Sequence, residues 1–161
     1  MAHDLARPPS LYEADVLAWA EQQAALIRAR NPGDNALDWD NIAEEIEDMG
    51  RNVQHACQSQ LDNILTHLLK IEFVGPADTM PHWRGEIAGF RIELGRDLTK
   101  TIENRLRPDL AKHFDLALKR LATRGQIIDP QGVRASRPAY TWDQVVDEDW
   151  FPQPRYGGAQ A

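Results

Sequence analysis

A chain of 161 residues with 42% hydrophobic and 27% charged content is long enough to bury one core and too apolar to stay disordered. Its net charge of −7 lacks the basic footprint of a general nucleic-acid binder. Cys57 is its only cysteine, which excludes an internal disulfide and a cysteine-based zinc cage.

The N-terminus has no apolar signal-peptide core, and no apolar run approaches the ~18 residues of a membrane span. A cytoplasmic protein that leaves membranes alone is expected. The charge is unevenly spread. Residues 1–83 carry 5 Lys/Arg against 14 Asp/Glu, net −9; residues 84–124 carry 10 against 6, net +4. Such halves neutralise each other when packed, or steer a partner.

Residues 1–10 read as a flexible arm. Ser10 and Glu13 form a capping-box pattern, and Tyr12, Val16, Trp19, Gln23 and Ile27 follow at helical spacing, with Ala20 and Ala24 beside them. Asn31-Pro32-Gly33-Asp34 is expected to end this first helix. Asp38 suits the N-cap of a second, with Leu37 and Ile42 as its hydrophobic staple. No proline interrupts until Pro76, so one helix is expected over about 38–73, with Gly50 as a candidate bend.

Pro81 opens a third helix, whose apolar stripe Trp83, Ile87, Phe90, Leu94, Leu98 and Ile102 runs to about Leu106. Pro108 is expected to restart the chain as a fourth helix, with Leu110, Phe114, Ala117, Leu118 and Leu121 inward and Gly125 at its end. Residues 125–140 read as loop. Thr141 and Gln144 form a second capping box, opening a short helix that ends near Asp149. Tyr140, Trp142, Trp150 and Phe151 are expected to dock that tail, and residues 153–161 to fray. The fold class is all-α: an antiparallel bundle of about four main helices plus a short C-terminal helix and docked aromatic tail, with residues 11–152 as one domain.

Six acids crowd into residues 38–50, "DWDNIAEEIEDMG". With Ile42 at 0° and 100° per residue, Ile46, Met49 and Val53 cluster near 0° as the expected core face. Glu44, Glu47 and Asp48 then point away from the core, and Glu45 sits at its border. Asn41 and Asn52 extend that polar border, and Gln60 falls in the core seam as a structural polar residue. Glu44 or Glu45 with Asp48 has helical spacing for sharing a Mg²⁺ or Mn²⁺ ion, provided a second helix adds ligands. Glu44-Glu45-Ile46-Glu47-Asp48 resembles the acidic run of all-helical nucleoside triphosphate pyrophosphohydrolases, but Glu93 and Asp97 are spaced one residue too far for that family's second pair. A solvated face with one structural ion pair is the preferred reading.

His67 falls in the expected core seam, where a hydrogen-bonded core residue is commoner than a ligand. His67, Lys70, His82, Trp83 and Arg84 are a second candidate site, a pocket with aromatic walls and polar tips. Arg107 and His113 have a ribonuclease-like spacing, discounted because Pro108 is expected to break their helix.

"YEADVLAWAEQQAALIR" (12–28), "LDWDNIAEEIEDMG" (37–50), "HLLK" (67–70), the helix start around Trp83 and "YTWDQVVDEDWFP" (140–152) occur in that order. Together they resemble the bacterial domain-of-unknown-function family 29 over about residues 11–152. Glu44, Glu45, Glu47, Gly50, His67, Lys70 and Trp83 match its recurrent motifs. The resemblance implies a helical bundle and no established activity, and offers no catalytic residue to carry over. "RLATRGQIIDPQGVRASRPA" departs from the family's longer helical stretch after helix four. A non-enzymatic interaction or regulatory module without cofactor, working on a protein partner or as a homodimer, is the expected function. A metal-dependent nucleotide hydrolase and a small-ligand pocket at His67 are the alternatives.

Overall fold

The computed structural model describes residues 9–30 and 37–155. Residues 1–8 of the expected arm, the Asn31–Asp34 helix stop and residues 156–161 lie outside the described residues. Among the described residues seven α-helices follow in order: α1 (Leu11–Ala14), α2 (Val16–Ala29), α3 (Trp39–Leu69), α4 (Met80–Asp97), α5 (Lys100–Thr123), α6 (Pro130–Ser136) and α7 (Trp142–Val146). No strand occurs among the described residues, and no helix among them is long and apolar enough to cross a membrane.

α3 is the axis, with α2, α4 and α5 packed against it. Arg28 meets Glu47 and Ala20 meets Gly50, so α2 is antiparallel to α3. His67 meets Glu86 and Cys57 lies near Asp97, so α4 is antiparallel to it as well. Arg105 meets Gln54 and His113 meets Asp62, so α5 runs parallel to α3.

The first expected helix is two. The Ser10–Glu13 capping box forms, but α1 stops at Asp15, whose carboxylate accepts the Ala18 N–H at 3.0 Å and so starts α2. The other Asp15 oxygen accepts the Thr101 N–H at 2.9 Å in the first turn of α5. One carboxylate thus serves two helix N-termini, where positive dipole ends meet. Burial pushes the Asp15 pKa up, yet these hydrogen bonds outweigh it and hold the group below its usual value.

α3 runs unbroken through Gly50, which serves close packing rather than a bend. A Cβ added there would lie 2.9 Å from Ala20 Cβ and 3.1 Å from Leu17 Cδ1. Leu17, Ala20 and Ala24 are the fully buried line of α2, and two of them are small enough for the helices to approach. α3 ends in a π-helical turn, Lys70–Val74, closed by Gly75 at φ 58°. A short 3₁₀ turn then leads into α4.

The third and fourth helices divide earlier than expected. α4 ends at Asp97 because Leu98 turns extended and Thr99 caps α5, its hydroxyl accepting the Ile102 N–H. Pro108 lies inside α5. It is tolerated because Pro108 and Asn104, whose carbonyl loses its donor, both face solvent. The five inward residues expected on this helix are all buried, and Gly125 follows its end at φ 68°. The expected loop contains α6, capped by Asp129 with Pro130 at its first position. The Thr141–Gln144 capping box forms, but α7 ends at Val146.

Two buried charges hold the tail. Arg91, 5% exposed, donates from its guanidinium to the carbonyls of Gln144, Val145, Glu148 and Trp150 at 2.9–3.2 Å. It therefore satisfies orphan carbonyls at the C-terminal end of α7. Glu72, 1% exposed, accepts from Tyr140 Oη at 2.8 Å and from Arg155 Nε at 2.7 Å, while its carbonyl accepts the Arg155 N–H. Residues 153–155 are therefore docked rather than frayed. Tyr140 and Trp142 are buried, and Trp150 and Phe151 pack against the core.

Gly50→Val is expected to lower the unfolding free energy by about 2 kcal/mol through overpacking against Ala20 and Leu17. Gly95→Ala, where an added Cβ meets nothing within 4 Å, is expected to raise it by up to about 1 kcal/mol. Urea denaturation of both variants checks the contrast.

Candidate functional site

The acidic cluster does not converge. The buried residues of α3 include Ala43, Gly50, Cys57, Leu61, Ile64, Leu65 and Leu68, so its core line lies roughly 80° around the wheel from Ile42. That rotation exposes Met49 and moves Glu45 from the border to open solvent. Glu45 forms no ion pair among the described residues. Glu47, expected to face away, is the acid that crosses helices, pairing with Arg28 at 2.7 Å and Arg51 at 3.6 Å. Asp48 pairs with Arg51, and Glu44 is exposed.

Asp38 caps α3 and accepts from Asn41 Nδ2 at 2.6 Å, while Asn52 is exposed. Arg105 binds Glu21 and Gln54, as the parallel course of α5 along α3 allows. Among the described residues no group of three or more His, Cys, Asp or Glu side chains is placed to hold a metal ion.

The second half of α3 is different. From Leu61 to Leu69, only Asn63 and His67 escape full burial, and Gln60 and Lys70 continue that line at either end. Their 3–4-residue spacing puts these four side chains on one narrow stripe. α4 flanks it. His67 Nδ1 donates to the Asn63 carbonyl at 2.8 Å, and its Nε2 lies 2.9 Å from Glu86 Oε2 and 3.4 Å from Lys70 Nζ. His82 Nε2 lies 3.5 Å from the same Glu86 oxygen, Lys70 sits 5.7 Å over the Trp83 ring, and Phe90 packs on His67.

Four of the five candidate pocket residues therefore gather around Glu86. The exception is Arg84, which stacks on Phe151 at 4.9 Å, one helical step around from Trp83. Beside the cluster, Gln60, Asn63, Glu86, Gly89, Phe90 and Ile92 line an open groove of about 520 Å³. The Gln60 Oε1 atom is buried without a hydrogen-bond partner among the described residues.

Burial pushes the His67 pKa down and outweighs the raising effect of the Asn63 carbonyl and Glu86. Burial also lowers Lys70. A neutral His67 keeps Nδ1–H on Asn63 and turns the Nε2 lone pair towards Lys70. Protonation would redirect Nε2 as a donor to Glu86. The groups are spent on one another, and no activated nucleophile stands among them. Cys57 is no substitute, since burial raises its thiol pKa to about 11.

Several polar residues escaped the sequence reading. Asp62 is buried, 2.7 Å from His113 Nδ1 and 3.0 Å from Arg120. Arg107 instead pairs with Asp143 at 3.0 Å, so the Arg107–His113 spacing gathers no site even though Pro108 leaves the helix intact. Asp62, Glu72 and Arg91 each interrupt an apolar run, "LDNIL", "IEFV" and "GFRIEL", and that interruption was the available signal. Glu86 was legible as the i+4 neighbour of His82.

The fold and site define a helical bundle with an open groove along its central helix. The model of the domain of unknown function DUF29 matches residues 11–151, and the chain belongs to that family. It is also similar to an α-helical protein of unknown function from Rhodospirillum rubrum, known from its crystal structure. The two share 27% identity over 89% of this chain and 93% of that one, with a TM-score of 0.69. No curated protein matches the sequence.

A histidine whose folded pKa is lowered is held neutral, so its contribution to stability is complete above the unfolded value near 6.5 and is lost as pH falls below it. His67→Gln is therefore expected to flatten the loss of thermal stability between about pH 7 and 5. Melting curves of both proteins across that range check this. An unchanged slope would place the acid sensitivity elsewhere.

Proposed function

We propose that this chain is a non-enzymatic interaction module whose docking face is the groove between α3 and α4. The observation that carries this reading is the bare backbone of α4 at the groove. Gly89 lines it and Gly85 lies one turn before, and a Cβ at either would meet nothing within 4 Å. A glycine in a helix interior costs about 1 kcal/mol relative to alanine, and no neighbour among the described residues requires one at these two positions. Ile92, 64% exposed, stands on the same wall. A partner helix laid along α4 would use both the close approach and the apolar side chain.

The hydrolase reading has no comparable support. Glu44 and Glu45 are exposed, and among the described residues neither they nor Asp48 belong to a group of three or more His, Cys, Asp or Glu side chains that could hold a metal ion. The small-ligand reading is weaker too, because His67, Lys70, His82 and Trp83 already engage Glu86 and each other.

Gly89→Leu separates stability from binding. It is expected to raise Tm by about 2–4 °C through helix propensity. It is also expected to cut photo-crosslinking from a benzophenone side chain at position 92 in cells by roughly tenfold. The same probe at position 44 serves as control. An adduct undiminished by Gly89→Leu, or none at position 92, would refute the reading. Calorimetric titration with Mg²⁺ and Mn²⁺ is expected to show no binding, and a site lost in Glu45→Ala would revive the hydrolase.

A further inference from the structure

The groove is one edge of a larger face. On its other side, the outward surface of α5 carries Leu116, 47% exposed, beside Lys119, Arg120, Thr123 and Arg124 around a hollow of about 350 Å³. Both edges border the same stripe of α3. Asn63 lines the groove, whereas Arg120 binds Asp62 and Arg124 lies close enough to Lys70 to repel its charge. The stripe of Asn63, His67 and Lys70 therefore lies between an α4 edge carrying Glu86, which faces His67 and His82, and Glu93, which pairs with Arg96 at 2.6 Å, and an α5 edge carrying Lys119, Arg120 and Arg124. Lys119 and Arg124 form no ion pair among the described residues.

We infer that the occupant of this face is a second copy of the same chain, joined about a two-fold axis with the acidic α4 edge of each protomer on the basic α5 edge of the other. A surface that is acidic along one side and basic along the other becomes self-complementary when rotated by half a turn. Two-fold contacts are the commonest way that identical chains associate. The apolar parts fit the same arrangement. Ile92 projects from the acidic edge, and the hollow beside Leu116 lies on the basic one. Gly89 lets the partner's α5 approach the α4 backbone without displacing a side chain. A foreign basic helix would suit the α4 edge alone and leave the cations of α5 uncovered.

The inference rests on the docking reading above but can fail without it. In sedimentation velocity, the wild-type chain is expected to dimerise at tens of micromolar in about 0.1 M salt and to dissociate towards 1 M salt as the edge charges are screened. Glu93→Lys and Lys119→Glu, both at exposed or half-exposed positions, are each expected to weaken the dimer roughly tenfold or more while circular dichroism stays unchanged. Combining them exchanges the two signs and is expected to restore the dimer to within about threefold of wild type.

A wild-type chain that remains monomeric at about 500 µM, hence with a Kd in the millimolar range, overturns the inference. So does a double variant no better than the singles. In either case a position-92 adduct with a different protein leaves the docking reading standing, whereas the absence of any adduct removes both. Expected here is an adduct with the mass of two copies of this chain.

Discussion

The fold depends on α3 being packed on three sides at once. α2, α4 and α5 all lie on it, and the C-terminal segment closes its far end. A helix so enclosed must be apolar around most of its circumference, and from Leu61 onwards it is. Its first half touches α2 most intimately, which is why Gly50 and Ala20 are as small as they are. Its second half leaves one strip uncovered between α4 and α5. The polar residues at Asn63, His67 and Lys70 occupy that strip because nowhere else on the helix could they reach water.

Charges that fall inside the enclosed part are each bonded to something distant in sequence. Asp62 reaches His113 and Arg120, Glu72 reaches Tyr140 and Arg155, and Arg91 gathers four carbonyls beyond residue 143. Buried charges are a weak source of net stability, since desolvation offsets much of the attraction. Their effect is to select one arrangement. A shifted α5 would strand Asp62, and a loosened tail would strand Glu72 and Arg91. Asp15 does the same at the opposite end by capping two helices. These contacts fix how short C-terminal helices, too small to hold themselves, sit on the bundle.

The helices of the bundle were legible because periodicity and capping chemistry are local. Ser10, Asp38 and Thr141 cap where their side chains imply. The phase of α3 was not legible. Ile42, Ile46 and Met49 mark a real apolar stripe, but small residues at Ala43 and Gly50 are the ones in the interface. Hydrophobicity alone undervalues alanine and glycine, whose merit is closeness. The same error placed Glu45 at the core border and Glu47 outward. The break at Leu98–Thr99 was hidden because an apolar stripe continued across it, and Thr99 and Asp15 had to meet in space to make it. Pro108 misled in the opposite direction, since its cost depends on whether Asn104 faces water, which only the packing decides.

The early end of α4 also explains why a strip of α3 stays exposed where it does. Had α4 continued to Leu106, it would have run down α3 towards the acidic N-terminal half. The turn at Thr99 instead sends α5 back along the other flank of α3, so the chain's basic stretch lies across the exposed strip from Glu86 and Glu93. The acidic and basic halves of the sequence are thus only partly neutralised by one another. Arg105 with Glu21 and Arg28 with Glu47 are satisfied within the molecule, whereas Lys119 and Arg124 remain at the surface. The dense acids of residues 38–50 belong to the satisfied and solvated part. The polar strip that stays open lies about 20 residues further along the same helix, where α4 exposes its glycines.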